Sequence, residues 1–259
     1  MDIKKVLQNA NLESYVKEIF VFVNDDETTS CLLPFMADGY PGIMLQQTNH
    51  GAFLCASNKE LSPFFMYGQT LKPIEIAIKG TYRLIVFQLY PFAAKTLFGV
   101  NPKELNDDCQ DLTVLGIEGT AQVVENLFEE KEIVNQVNII AAYLSKLIVK
   151  TISHKEQNVR AAISLVVNNR GNITVKAITE HLHITERTLQ RQFEEYVGIP
   201  PKQFAKIIQF QSSLNQISEE TFTKLTEIVY ENGYADQSHF IRSFKKFAGK
   251  NPSLYKPGK

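Results

Sequence analysis

A chain of 259 residues, 44% hydrophobic and 21% charged, has the composition of a folded globular protein and room for two domains of the usual ~100–200 residues. Behind Met1-Asp2-Ile3-Lys4-Lys5 there is no apolar leader core, and no uncharged apolar run nears the ~18 residues of a membrane span, so a cytoplasmic chain without membrane contact is expected. The net charge of −1 hides an asymmetry: residues 1–154 carry 12 Lys and Arg against 18 Asp and Glu, while residues 155–259 carry 15 against 10, so the second half is the one suited to a polyanion.

From Val16 to about Tyr90 the chain reads as strands. Short β-branched and aromatic runs, Ile19-Phe20-Val21-Phe22-Val23, Gly42-Ile43-Met44-Leu45 and Tyr82-Arg83-Leu84-Ile85-Val86-Phe87, are separated by turn signals such as Asn24-Asp25-Asp26 and Lys79-Gly80. That spacing predicts a small sandwich or barrel. Pro91 opens a short helix whose stop is Gly99, proline suiting a first turn and glycine a C-terminal cap. From about Thr120 the pattern turns helical, and Ile133, Val137, Ile140, Leu144 and Leu147 repeat with the rhythm of a heptad stripe. Such a stripe is either a homodimer seam or a helix lying on its own β-domain. The polar stretch His154–Gln157 reads as a linker, and everything after it reads as helix.

The helical half contains an internal repeat. At an offset of 51 residues Leu189 falls on Phe240, Arg191 on Arg242, Phe193 on Phe244, Gly198 on Gly249 and Pro201 on Pro252; upstream the offset is 50, pairing Ile178 with Ile228 and His183 with Gly233. Two copies of one supersecondary unit follow. In each, a short amphipathic helix ends at a tight turn, at His183 or Gly233, where positive φ is expected. Thr185 or Asp236 then caps a second helix. Its inward stripe is Leu189, Phe193 and Tyr196, or Phe240, Phe244 and Phe247. Its outward face carries Arg187, Gln190, Arg191 and Glu194, or Ser238, Ile241, Arg242 and Lys245. This is the helix-turn-helix pattern, with Arg available to grip guanine and Gln adenine in a major groove. Between the units, Pro201 to about Ile217 is expected to form one helix, ~25 Å long at 1.5 Å per residue.

These residues resemble the AraC/XylS family of bacterial regulators over about the last hundred positions. Gly233-Tyr234-Ala235-Asp236-Gln237-Ser238-His239-Phe240, running through Arg242, Phe244, Lys245, Lys246 and Phe247 to Gly249, Pro252 and Tyr255, is similar to that family's signature, and Thr185 to Phe193 is similar to its first unit. The resemblance implies two units reading adjacent major-groove segments, with Arg187, Gln190, Arg191, Gln237, Ser238, His239 and Arg242 facing bases; Lys245 joins them as a candidate DNA contact. The chain departs from the pattern at Gln209, where the family usually has arginine, at Thr179, where it has a small alanine, and at the apolar Ile241. The first half resembles only loosely, through Asp38-Gly39-Tyr40-Pro41, Gly68-Gln69 and Phe87 to Gly99, the β-barrel-like effector or dimerisation domain of some AraC-type proteins.

The expected class is therefore α+β. Residues 1–154 would form a β-barrel or sandwich-like domain with flanking helices, for effector sensing or dimerisation. Residues 155–259 would form an all-α domain of two helix-turn-helix units, about 172–198 and 223–249, joined by a linker helix. Tyr40, Phe64, Tyr67, Tyr82, Gln69 and Arg83 are the candidate lining of an effector pocket, with plain core as the other reading. A metal-dependent cupin enzyme would need several histidines, and His50 is alone in the strand region. A repair enzyme with a reactive cysteine would need a thiol in a basic or metal-bound setting; Cys31 and Cys55 read as core and Cys109 lies among Asp107, Asp108 and Asp111. The sequence therefore reads as a non-enzyme without cofactor or metal. Its expected partners are double-stranded DNA, a small-molecule effector, RNA polymerase and a second copy of the chain. The alternative is a regulator that works without ligand or under control of a protein partner.

Overall fold

The computed structural model describes residues 3–9, 11–148, 153–219 and 225–255. Helix α1 (Ile3–Asn9) leads into strands β1 (Val16–Asn24), β2 (Ser30–Phe35), β3 (Gly42–Thr48), β4 (Ala52–Leu54), β5 (Lys59–Glu60), β6 (Phe64–Tyr67), β7 (Ile74–Lys79) and β8 (Tyr82–Leu89). Helix α2 (Ala93–Phe98), strand β9 (Cys109–Asp111) and helices α3 (Thr120–Glu129) and α4 (Ile133–Leu147) complete the first half. The strands form two sheets, β1-β8-β3-β6-β9 and β2-β7-β4-β5, and the assigned pairs are antiparallel. The class is α+β as the sequence implies, but the sheets do not close into a barrel.

The two-residue side-chain period of a strand sorts the core into layers. Met44, Phe65, Leu84 and Val86 of the five-stranded sheet meet Ala52, Leu54, Ile76 and Ile78 of the other sheet in one apolar layer. The alternate residues Ile43, Leu45, Phe64, Met66, Ile85 and Phe87 point the opposite way, into a core shared with α2 and α4. With both faces covered, β3 and β8 read as nearly continuous apolar runs rather than as alternating ones.

Val137, Ile140 and Leu144 of α4 are 0% exposed in that core, Ile133 and Leu147 are half-buried against it, and Tyr143 packs its ring edge-on to Phe64 at 6.2 Å. The middle of the heptad stripe is thus consumed inside the chain, against its own sheet, and the dimer seam drawn from it is corrected: Val137, Ile140 and Leu144 present no surface to a second copy, and only the half-buried ends, Ile133 and Leu147, reach solvent. Helices packed on a sheet show the same spacing as coiled-coil seams, which is why the rhythm alone left both readings open.

The second half comprises α5 (His154–Asn168), α6 (Val175–Leu182), α7 (Glu186–Tyr196), α8 (Pro201–Ser218), α9 (Leu225–Glu231) and α10 (Gln237–Ala248). The polar His154–Gln157 segment is no linker but the first turn of α5, capped by Ser153, whose hydroxyl accepts from the Glu156 amide at 3.2 Å. The junction at 149–152 and the expected first residues of the second unit, 223 and 224, lie outside the described residues. Helix α8 ends one residue beyond the expected Ile217. Arg160 of α5 ties the halves together: its guanidinium lies 4.6 Å from the Tyr15 ring centroid and 4.0 Å from that of Phe92, donates to the Ser14 carbonyl at 3.1 Å, and pairs with Glu156 at 2.6 Å.

Because Ile140 is core, Ile140→Glu places an unpaired carboxylate in an apolar layer. The expected outcome is a loss of several kcal/mol and aggregation. Thermal melting with light scattering checks it; a stably folded variant of altered subunit count would restore the seam.

Candidate nucleic-acid interface and interdomain cleft

The two second helices are built alike. His183 adopts φ 53° and Gly233 φ 71°, so each turn sits in the left-handed region expected for it. Thr185 Oγ1 accepts from the Thr188 amide at 3.1 Å, and Asp236 Oδ1 accepts from the His239 amide at 2.7 Å. These caps satisfy otherwise unpaired amides at the start of α7 and α10. Leu189, Phe193, Phe240 and Phe244 are fully buried, and Phe247 is 1% exposed. Tyr196 is half-buried, its hydroxyl 3.1 Å from Ser153 Oγ. With the apolar stripe turned in, the 3.6-residue period turns Arg187, Gln190, Arg191, Gln237, Ser238, Arg242 and Lys245 out, and all seven are exposed. His239 is half-buried, its ring edge-on to Tyr234 at 5.4 Å. Gln190 also bonds Glu194 at 3.2 Å along its own helix.

Gln209, the departure on the linker helix, is 9% exposed and donates to the Asn232 carbonyl at 2.7 Å, so a neutral amide anchors α8 to the end of α9. Thr179 is buried and turns its hydroxyl onto the Lys176 carbonyl at 2.9 Å. Ile241 is half-buried and packs against the core.

The structure does not gather the six candidate effector residues. Phe64 lies in the helix-facing core. Tyr67 is held against Gly42, and its hydroxyl is pushed well above the usual range by burial. Gln69 is 2% exposed and donates to the Val197 carbonyl at 2.6 Å. Tyr82 and Arg83 start β8 opposite Thr48 and Gln47, whereas Gln88, near the Tyr40 end, lies opposite Gly42; the span is about 20 Å at ~3.3 Å per residue. Arg83 instead donates to the Lys131 carbonyl at 2.8 Å. The single-pocket expectation is therefore corrected: of the six, only Tyr40 lines the opening between the halves.

That opening is a cleft of about 890 Å³ between the halves. Lys17, Phe35, Met36, Asp38, Tyr40 and Gln88 line one wall; Val167, Arg170, Ile208, Leu214, Lys250 and Tyr255 line the other. Apolar surface and three cations meet there, drawn from segments too far apart in sequence for any spacing to signal them. Lys17 Nζ lies 3.9 Å from the Tyr40 ring centroid. The Asp38 carboxylate is turned inward, accepting from Gln88 Nε2 at 2.7 Å and the Tyr40 amide at 3.0 Å, and burial pushes its pKa up to about 6.

Among the cysteines, Cys55 is exposed and Cys31 half-buried rather than core, while the buried Cys109 thiol is pushed up to about 12 by burial and by Asp108. Among the described residues no group of His, Cys, Asp and Glu is placed to hold a metal ion, and no helix is long and apolar enough to cross a membrane.

Residues 178–257 match the family model described as a helix-turn-helix domain. The C-terminal region therefore carries a helix-turn-helix domain. Residues 5–111 match a domain of unknown function (DUF6597). No curated protein sequence matches significantly. Among solved structures, wild-type ToxT from Vibrio cholerae strain SCE256 with bound unsaturated fatty acid is similar in fold, with 13% identity, a TM-score of 0.50, and coverage of 92% of this chain and 94% of that one. ToxT from Vibrio cholerae O395 follows at 14% identity and a TM-score of 0.49 over 94% and 97%. The AraC-like transcriptional activator CuxR aligns with a TM-score of 0.23 at 14% identity over 84% and 79%.

A raised carboxylate pKa means the native state binds that proton more tightly than the unfolded chain. Stability therefore falls as pH rises from about 4 to 6 and is flat above. Asp38→Asn removes this dependence. Its thermal stability relative to the unsubstituted protein is expected to improve by about 1–3 kcal/mol between pH 4.5 and pH 7.5; parallel melts at the two pH values check the difference.

Proposed function

We propose that the chain is a sequence-specific DNA-binding transcription regulator of the AraC type, acting in the cytoplasm and not an enzyme. The observation that carries this reading is the pair of capped, outward-facing helices, α7 and α10, on a domain that matches the helix-turn-helix family. Arg187, Gln190 and Arg191 in one helix and Gln237, Ser238, His239 and Arg242 in the other are the proposed base readers. Arginine offers guanine a planar pair of donors and glutamine offers adenine a donor and an acceptor. Lys245 supplies phosphate attraction, which positions without specifying.

A small-molecule effector is part of the proposal, and its seat is the cleft between the halves. The lining mixes apolar side chains with Lys17, Arg170 and Lys250, which outnumber the carboxylates Glu18 and Asp38; that balance suits an anionic amphiphile, and the similarly folded ToxT was solved with an unsaturated fatty acid. Such a ligand would touch both halves at once and so bias how they sit. Native mass spectrometry of the purified protein reads any retained ligand directly.

The DNA reading is tested by selecting sites from a random duplex pool with the full chain. Affinity is expected to fall steeply with added salt, because phosphate neutralisation releases counterions. Arg191→Ala and Arg242→Ala should each cost ~1–3 kcal/mol on the selected site and relax base preference in different blocks of it, while Lys245→Ala lowers affinity evenly. Arginine variants that keep the original preference at every position would mean that another helix face reads the bases.

A further inference from the structure

We infer that the connection between β6 and β7, residues 68–73, is a spacer strap that sets the separation of the two DNA-reading units; this rests on the DNA-binding reading above. The strap touches both units at neighbouring positions of the repeat, just past each recognition helix. At one end Gln69 Nε2 donates to the carbonyl of Val197, just past the first recognition helix, at 2.6 Å. At the other end the Pro73 ring lies where a Cβ on Gly249 would meet it at 3.1 Å, just past the second. Gly198 and Gly249 are the same position of the internal repeat, both at positive φ, 80° and 75°. Gly198 is also pressed onto the first half, a Cβ there falling 2.6 Å from the Lys103 amide nitrogen, while its carbonyl accepts from Asn106 at 3.1 Å.

The strap is itself held. Asp107 Oδ1 accepts from the amides of Leu71 at 2.6 Å and Lys72 at 3.2 Å, and the Asp107 amide donates back to the Gln69 carbonyl at 3.0 Å. The four residue steps from Gln69 to Pro73 reach at most ~14 Å in any conformation, so the exits of the two units cannot drift apart while both contacts stand. Without the strap their relation depends on helix α8, on the β-domain contacts made by Ala37 and Asn106, and on the approach of Asn172 to Gly233. Gln69 and Asn106 are thus positioning residues for DNA reading, acting through the first unit and not through bases or effector.

The test is site selection from the random duplex pool by the full chain and by Gln69→Ala, reading the base-pair spacing between the two enriched blocks. Unsubstituted protein is expected to select one dominant spacing. In Gln69→Ala the share of neighbouring spacings should rise about three-fold or more, the ratio that one lost hydrogen bond permits, with base preference inside each block unchanged. An unchanged spacing distribution in a folded variant overturns the strap and leaves the DNA reading intact. A parent chain that enriches no site overturns both. Should Gln69→Ala fail to fold, Gln69→Met, which keeps the side-chain length and removes the donor to the Val197 carbonyl, is read in the same way and by the same two outcomes.

Discussion

The arrangement depends on helix α8 being buried along most of its length by three different bodies. Phe204 packs on Phe193 of the first unit, ring centroids 6.0 Å apart, and also lies against Gly39 of the β-domain. One turn and a half later Phe210 meets Phe244 and Phe247 of the second unit, each at 5.4 Å. Gln209 and Ser213 close the polar remainder, bonding the Asn232 carbonyl and approaching the Tyr234 hydroxyl at 3.1 Å, and Gln211 donates to the Ala37 carbonyl at 2.6 Å. A helix that is core for both helical units and for the β-domain ties their packing together, because close-packed interiors leave little slack.

That burial explains what was and was not legible in the residues. The repeat at offset 51 was readable because each unit satisfies its own local rules: a left-handed turn at His183 or Gly233, a cap at Thr185 or Asp236, and an apolar stripe at helical spacing. Such rules act within a few residues, and the sequence states them twice. The ends of α8 were equally local, since Pro201 fixes the first turn.

What failed was every inference that needed to know what lies across a gap. Ile140 and Leu144 carry the rhythm of a seam, yet the partner is the sheet face holding Phe64 and Phe87, more than fifty residues earlier. Gln69 carries the look of a pocket residue, a polar group among aromatics, yet its amide is taken by Val197, 128 residues away. Conversely Lys17, Arg170 and Lys250 stand in unremarkable stretches and converge only because the halves pack as they do. Long-range pairings leave no period, so an aromatic-rich window cannot distinguish core from cavity.

The cleft and the contacts of α8 are therefore two aspects of one interface. Ile208 and Leu214 of α8 line the cleft wall, while the neighbouring Phe204 and Phe210 hold the two units. On the facing wall Asp38 sits in the same short loop as Ala37, whose amide bonds the Phe247 carbonyl of the second unit at 3.3 Å, and as Gly39, which abuts Phe204. A change of charge or occupancy at Asp38 is thus one residue from contacts to both halves of the DNA-reading surface. Coupling between sites requires an element whose arrangement both sites bias. Here the loop 36–41 and helix α8 lie in direct contact with the cleft and with both helical units, which makes them the elements through which such a bias would act.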